Sequence, residues 1–129
     1  MHGFLFDLDG VFYVGDTPVP GGAETHAWVR AHAIPHLFLT NTTSRPRAAI
    51  AEKLHGFGIE AQPGEILTPP VAAVRWIRDH VEGNTALFVP DATRPEFAEL
   101  VAAEEHAASA AAVVLDSVAD LPAWWASRR

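Results

Sequence analysis

The stretch that most constrains this chain is Phe4-Leu5-Phe6-Asp7-Leu8-Asp9-Gly10-Val11-Phe12-Tyr13. A short apolar run of strand-forming residues ends in two aspartates one residue apart, followed by glycine. Such a run, bounded by a turn signal, suits a buried strand better than a helix. Residues i and i+2 of an extended chain point to the same side, so Asp7 and Asp9 share one pocket if the strand ends there. Two carboxylates that close repel each other unless a cation or a proton lies between them. A metal site beside a nucleophile is one arrangement that explains them. The other is a β-hairpin, because Asp-Gly between hydrophobic runs is a strong hairpin turn, with Asp7 then facing water.

A chain of 129 residues is expected to form one domain, 1–129, large enough to bury a core. Its 49% hydrophobic and 19% charged residues are those of a globular protein. A net charge of −7, with no run of Lys or Arg, argues against a nucleic-acid partner. The absence of cysteine removes disulfides and thiolate metal sites. No apolar stretch is long enough for a signal-peptide core or a membrane span, so a cytoplasmic protein with no membrane partner is expected.

The rest of the chain alternates. The glycines and prolines between Val11 and Gly22 mark a loop or small flap. A helix is expected from about Gly22 to Ala33 with Ala23, Ala27, Trp28 and Ala31 on its packed stripe, then a strand at His36–Leu39 ending in Thr40-Asn41. Ser44 is placed to cap a second helix with Pro46 in its first turn, Ile50, Leu54 and Phe57 on one face and Gly58 as its stop. Glu65-Ile66-Leu67 is too short to assign. Thr68-Pro69-Pro70 opens a third helix carrying Val71, Val74 and Ile77. A strand is expected at Thr85–Val89, a capping box at Thr93-Arg94-Pro95-Glu96, a last strand at Ala112–Leu115 and a short helix at Leu121–Trp125. Strands alternating with helices predict an α/β fold with a doubly wound parallel sheet, covered on both faces. In such sheets ligands bind beyond the carboxyl ends of the strands. Asp7, Asp9, Thr40, Asn41, Asp91 and Asp116 all fall at that edge in this reading, which the hairpin alternative does not predict.

Residues of these types could carry phosphoryl transfer. Asp7 could attack phosphorus and Asp9 could protonate the leaving oxygen and then activate water. A hard divalent cation, magnesium above all, would neutralise carboxylates and phosphoryl oxygens together. The Thr40 hydroxyl and the Asn41 amide could hold the transferring group.

Asp7-Leu8-Asp9-Gly10-Val11-Phe12-Tyr13, followed by Leu39-Thr40-Asn41-Thr42-Thr43-Ser44-Arg45, resembles the haloacid dehalogenase superfamily. More narrowly, these motifs with Pro18–Glu24 and Ile66-Leu67-Thr68-Pro69 resemble the NagD-like phosphatases, in the branch of phospholysine/phosphohistidine phosphatase-like proteins. The resemblance spans roughly residues 3 to 100. It implies a Rossmann-like core, Asp7 as nucleophile, Asp9 as acid/base, Thr40 as phosphate-binding hydroxyl, and magnesium on the Asp7 carboxylate and the Asp9 carbonyl. A small phosphorylated substrate is implied with them.

The departures from the family pattern are as specific. Members carry a lysine that steadies the phosphoryl-aspartate, a late acidic motif that completes the metal site, and an α/β cap domain. Here the only lysine is Lys53, within the second predicted helix, where a solvated face is expected, and there is no room for the cap. Asp116 and Asp120 follow an apolar run and are candidates for the late motif, Asp116 as a third metal ligand. Yet Asp116-Ser117-Val118-Ala119-Asp120-Leu121-Pro122 resembles more closely the family's extreme carboxyl terminus. That reading makes the chain a truncated core with its middle missing, joined near residues 104–109, with an incomplete metal site. Its functional alternative is an impaired relative that survives as a phosphate-binding or oligomerising module. A homo-oligomer would cover surface that a missing cap leaves bare. A receiver-like domain with Asp91 as phospho-acceptor is a third reading, poorly matched because Pro90 precedes it and no late lysine follows.

Other residues carry weaker signals. His32 and His36 are four apart but straddle Pro35, no His-Glu-x-x-His pattern exists, and His2 and His26 have no recognisable partner, so a transition metal is not expected. Arg45 and Arg47 could draw in an anionic substrate or be solvated charges. Trp28 and Trp76 are expected to pack. The Trp124-Trp125 pair is expected to pack too, or to mark a contact surface.

Overall fold

The computed structural model describes residues 2–82, 85, 87–100, 119 and 121–126. Its centre is a parallel sheet of three strands, β1 (Phe4–Asp7), β4 (His36–Leu39) and β5 (Ile66–Leu67), in the order β1-β4-β5. The register pairs Phe4 with His36 and Asp7 with Leu39, and Leu39 in turn with Leu67. All three strands therefore end at one level. Between β1 and β4 lie a small antiparallel hairpin, β2 (Tyr13–Val14) with β3 (Thr17–Pro18), and the helix α1 (Gly22–Ala31). Helix α2 (Arg47–Gly56) links β4 to β5, and α3 (Pro69–His80) follows β5. A 3₁₀ segment (Asp91–Leu100) and a short helix α4 (Leu121–Ala126) complete the described residues.

The main core forms where β1, β4 and β5 meet α2. Leu8, Phe12, Phe38, Ile50, Ala51, Leu54, Ile59 and Ile66 are buried together there. Phe38 is fully enclosed and sits edge-on to Phe12 at a centroid distance of 5.5 Å, with Phe6 at 6.2 Å. The alternate residues Leu5, Leu37 and Leu39 are exposed. A second cluster joins Val74 of α3 to Leu87 and Phe97.

Several sequence expectations hold in detail. Thr68 caps α3, its hydroxyl accepting from the Val71 amide at 3.5 Å, with both prolines in the first turn, where they cost no hydrogen bond. Ile50 and Leu54 face the core, and Gly58, at φ 79°, turns the chain out of α2 in the left-handed region.

Others are corrected. The α1 stripe is rotated: His26 and Val29 are buried, whereas Ala27, Trp28 and Ala31 are exposed. Trp28 and Trp76 stand more than half exposed, each lying against the histidine one turn on, His32 and His80, whose Nδ1 lies 2.8 Å from the tryptophan carbonyl oxygen. The described residues of 85–89 form no strand, and Leu87 is buried against Val74 and Phe97 instead. Asp91 therefore does not end a strand. It opens the 3₁₀ segment and pairs with Arg94 at 3.2 Å, which leaves the receiver-like reading without its acceptor. The expected capping box is not formed either. The Pro90 carbonyl accepts from Thr93 N, Arg94 N and the Thr93 hydroxyl, so the helical turn starts before Thr93. Glu96 is thereby free to reach the start of α2. That helix begins after Pro46 without a side-chain cap of its own, and Ser44 plays no capping part. One Glu96 oxygen accepts from the Arg47 amide at 2.7 Å and the other from its guanidinium at 2.9 Å. An acidic side chain from 49 residues away replaces the local cap. The predicted strand Ala112–Leu115 and Asp116 lie outside the described residues, as do the side chains of Trp124 and Trp125.

His26, for which the sequence offers no partner, is buried in α1 against β4. Its Nε2 lies 3.1 Å from Nε2 of His36, whose Nδ1 is 3.0 Å from the Ile34 carbonyl oxygen. That network assigns the His36 proton to Nδ1 and makes His26 the donor. Burial, then His36 and Arg30, lower the His26 pKa, against smaller opposing effects of Glu65 and Glu60. A depressed folded-state pKa means that the unfolded chain takes up the proton first. Stability is then complete above the ordinary histidine range and is lost as pH falls through it. Melting temperature should therefore fall between about pH 7 and 5.5, and the His26→Gln variant should show a flatter profile in that window. Parallel profiles for the two proteins, read by circular dichroism, would show that His26 does not titrate with folding.

Candidate active site

β1 delivers Asp7 at its last position, and the chain then turns sharply. Val11 N and Phe12 N both donate to the Leu8 carbonyl, while Gly10, at φ 84°, donates to the Tyr13 carbonyl at 2.7 Å. Only a residue without a Cβ adopts that conformation freely. Leu8 and Phe12 point into the core and leave the two carboxylates on the outside. The Asp9-Gly10 pair is thus no hairpin turn. The hairpin turn comes six residues later, at Gly15-Asp16, as the flap expected from the glycine and proline punctuation.

Asp7 and Asp9 line one cleft of about 670 Å³ with Thr40, Asn41 and Thr68. Its other walls are Leu39, Leu67, Pro69 and Ala72. Three strand ends supply the polar groups, as the register requires. One Asp7 oxygen accepts from the Leu8 amide at 2.8 Å. Thr40 is nearly buried; its hydroxyl donates to Thr42 Oγ1 at 3.1 Å, and its amide donates to the Leu67 carbonyl. Thr68 was not among the sequence candidates, because a two-residue β5 gives no periodicity that would mark its end. The Ile-Leu-Thr-Pro stretch was the available signal.

The donor set suits a hard cation. Asp7 and Asp9 both line the cleft, although no group of three or more His, Cys, Asp or Glu that could hold a metal ion by itself stands among the described residues. The Asp7 carboxylate and the Asp9 carbonyl would leave coordination positions for water, which magnesium retains readily.

Lys53 is not on a solvated face. Its Nζ donates to the Gly15 carbonyl at 2.6 Å, lies 3.1 Å from the Asp16 carboxylate, and sits 4.4 Å from the Tyr13 ring centre. The pull of three flap groups on one cation latches the hairpin to α2. Tyr13, so placed, has its pKa raised by burial and by the Asp9 and Asp7 charges, against a lowering by Arg45.

Among the described residues no helix is long and apolar enough to cross a membrane. An acid sugar phosphatase of Staphylococcus haemolyticus is 35% identical over 87 residues, covering 67% of this chain and 33% of the relative. The chain thus spans about a third of the length of the curated relatives that it matches. Among solved structures, a hypothetical protein of Pyrococcus horikoshii matches with TM-score 0.73 and 29% identity, over 78% of this chain and 39% of that one. A p-nitrophenyl phosphatase of Archaeoglobus fulgidus matches at TM-score 0.66 and 26% identity, covering 76% and 38%. A putative nagD protein at 20% identity and TM-score 0.67, over 74% of this chain and 38% of that one, shares the fold. Residues 4–105 match the haloacid dehalogenase-like hydrolases as a family, and to that family this chain belongs.

Proposed function

We propose that the chain carries the phosphoryl-transfer site of a magnesium-dependent phosphomonoesterase. The observation that carries the reading is the convergence of Asp7, Asp9, Thr40 and Asn41 on one cleft at the carboxyl edge of the sheet. Relatives named as an acid sugar phosphatase and a p-nitrophenyl phosphatase support a small phosphate monoester as the substrate class.

A free Asp7 oxygen attacks phosphorus, forming a carboxyl–phosphoryl bond as the ester P–O bond breaks. The Asp9 carboxyl gives its proton to the departing oxygen. It then removes a proton from the water that attacks the phosphoryl-aspartate, so that Asp7 is restored and phosphate released. Thr40 turns its hydroxyl from Thr42 to a phosphoryl oxygen, and Asn41 donates from its amide. Asp7 and the Asp9 carbonyl would hold magnesium, which would supply positive charge against the phosphoryl oxygens.

Hydrolysis of p-nitrophenyl phosphate by this chain should require magnesium and stop on chelation. Calorimetric titration with magnesium and beryllofluoride, a phosphoryl mimic, separates two readings. Binding together with turnover supports the phosphatase. Binding without turnover supports a phosphate-binding module, which the pairing of Lys53 with the flap favours, because no lysine then lines the Asp7 cleft among the described residues. Absence of both overturns the site.

A further inference from the structure

Beside the cleft of Asp7 lies a second one of about 290 Å³, which shares Asp9 and Asn41 with it. The two are therefore neighbouring lobes of one depression, with Asp9 on the divide. The walls of the second lobe are the flap, through Tyr13, and the loop after β4 with the adjoining α2 face, through Thr42, Arg45 and Lys53.

Three cations lie in this part of the fold, and their commitments differ. Arg47 is spent on Glu96, at 2.8 Å, and does not line the lobe. Lys53 is spent on Gly15 and Asp16. Arg45 makes no hydrogen bond or ion pair among the described residues, and it lines the lobe. It is close enough to be felt by Tyr13, whose ionisation it opposes Asp9 in setting. Arg45 is an exposed residue, and the lobe it lines also holds Asp9, but its guanidinium has no hydrogen-bond or ion-pair partner among the described residues and is free to take an anion from outside. Its planar fork holds a carboxylate or phosphate by two parallel hydrogen bonds, which a point charge cannot do.

The direction of the chemistry adds a constraint. On the proposed reading the phosphoryl group sits at Asp7, and Asp9 faces the departing oxygen. The alcohol part of the substrate then projects past Asp9 into the second lobe. We propose that Arg45 is a specificity residue, and that the preferred substrates are phosphate monoesters whose alcohol part bears a second anionic group, a carboxylate or a further phosphate, within a few bonds of the phosphoryl oxygen. This inference rests on the phosphoryl site at Asp7 and goes beyond it by assigning the substrate class.

Non-hydrolysable phosphonates test it on the intact chain with magnesium. 3-Phosphonopropionate and propylphosphonate differ in the terminal carboxylate, and inorganic phosphate reports the Asp7 lobe alone. By calorimetry the carboxylated phosphonate should bind about 10-fold tighter than propylphosphonate. Arg45→Ala should bring that ratio to about 1, while inorganic phosphate still binds, and Arg45→Lys should restore only part of the preference. Equal binding of the two phosphonates by wild type, or a preference that survives Arg45→Ala, overturns the role of Arg45 and leaves the phosphoryl site standing. If neither phosphonate nor phosphate binds, the phosphoryl site itself fails and this inference fails with it.

Discussion

Replacing Asp7 by asparagine is expected to lower turnover of an aryl phosphate by at least about 10³-fold, or ~4 kcal/mol of transition-state stabilisation. The substitution is close to isosteric, and its carbonyl oxygen still accepts the Leu8 amide that holds Asp7 in place. What it removes, on the proposed function, is the nucleophile, since a neutral amide does not displace an alkoxide from phosphorus. The melting temperature should stay within a few degrees of wild type, because Asp7 is exposed and packs against nothing in the core. Rates compared at saturating magnesium, with the variant's melt beside them, check both halves. Undiminished turnover would remove Asp7 from the chemistry.

The largest structural effect is expected at Phe38. The side chain has no exposed surface and is gripped by the rings of Phe6, Phe12, His26 and His36, so truncation leaves a cavity between the sheet and its helices. Phe38→Ala should cost about 3–5 kcal/mol. For a domain with roughly 5–15 kcal/mol in total, that loss leaves little reserve. Urea unfolding should show the midpoint shifted well down with little change of slope. Leu37→Ala, one residue away on the exposed face, serves as the control and should cost about 1 kcal/mol or less. Equal losses at the two positions would mean that the opposite face is also packed.

The parts legible in the sequence were those written locally. The aspartate pair, the β4 end at Thr40-Asn41, the flap punctuation, the Thr68 cap and the Gly58 stop each depend on residues within a few positions of one another. The parts missed depend on distant partners. The Thr93–Glu96 box has the right residue types, but Glu96 finds a charged partner and an uncapped amide at Arg47, a better offer than one local amide. Lys53 reads as a solvated helical charge until folding brings Gly15 and Asp16 beneath it. His26 acquires meaning from His36 across the α1–β4 interface. The α1 stripe failed for a different reason. Its alanines and tryptophan are apolar, yet the close approach to Phe38 selects the flat ring of His26 instead.

The reach of Glu96 back to Arg47 also changes what the first turn of α2 reports. The opening amides of a helix have no carbonyl partner within it and ordinarily exchange their hydrogen with solvent as the end frays. The Arg47 amide is closed by a carboxylate that belongs to the 3₁₀ segment, which packs with α3 in the second apolar cluster. Its exchange should then require departure of that segment and not only unwinding of its own helix, so one proton at the start of α2 should register the opening of a region 49 residues further along the chain.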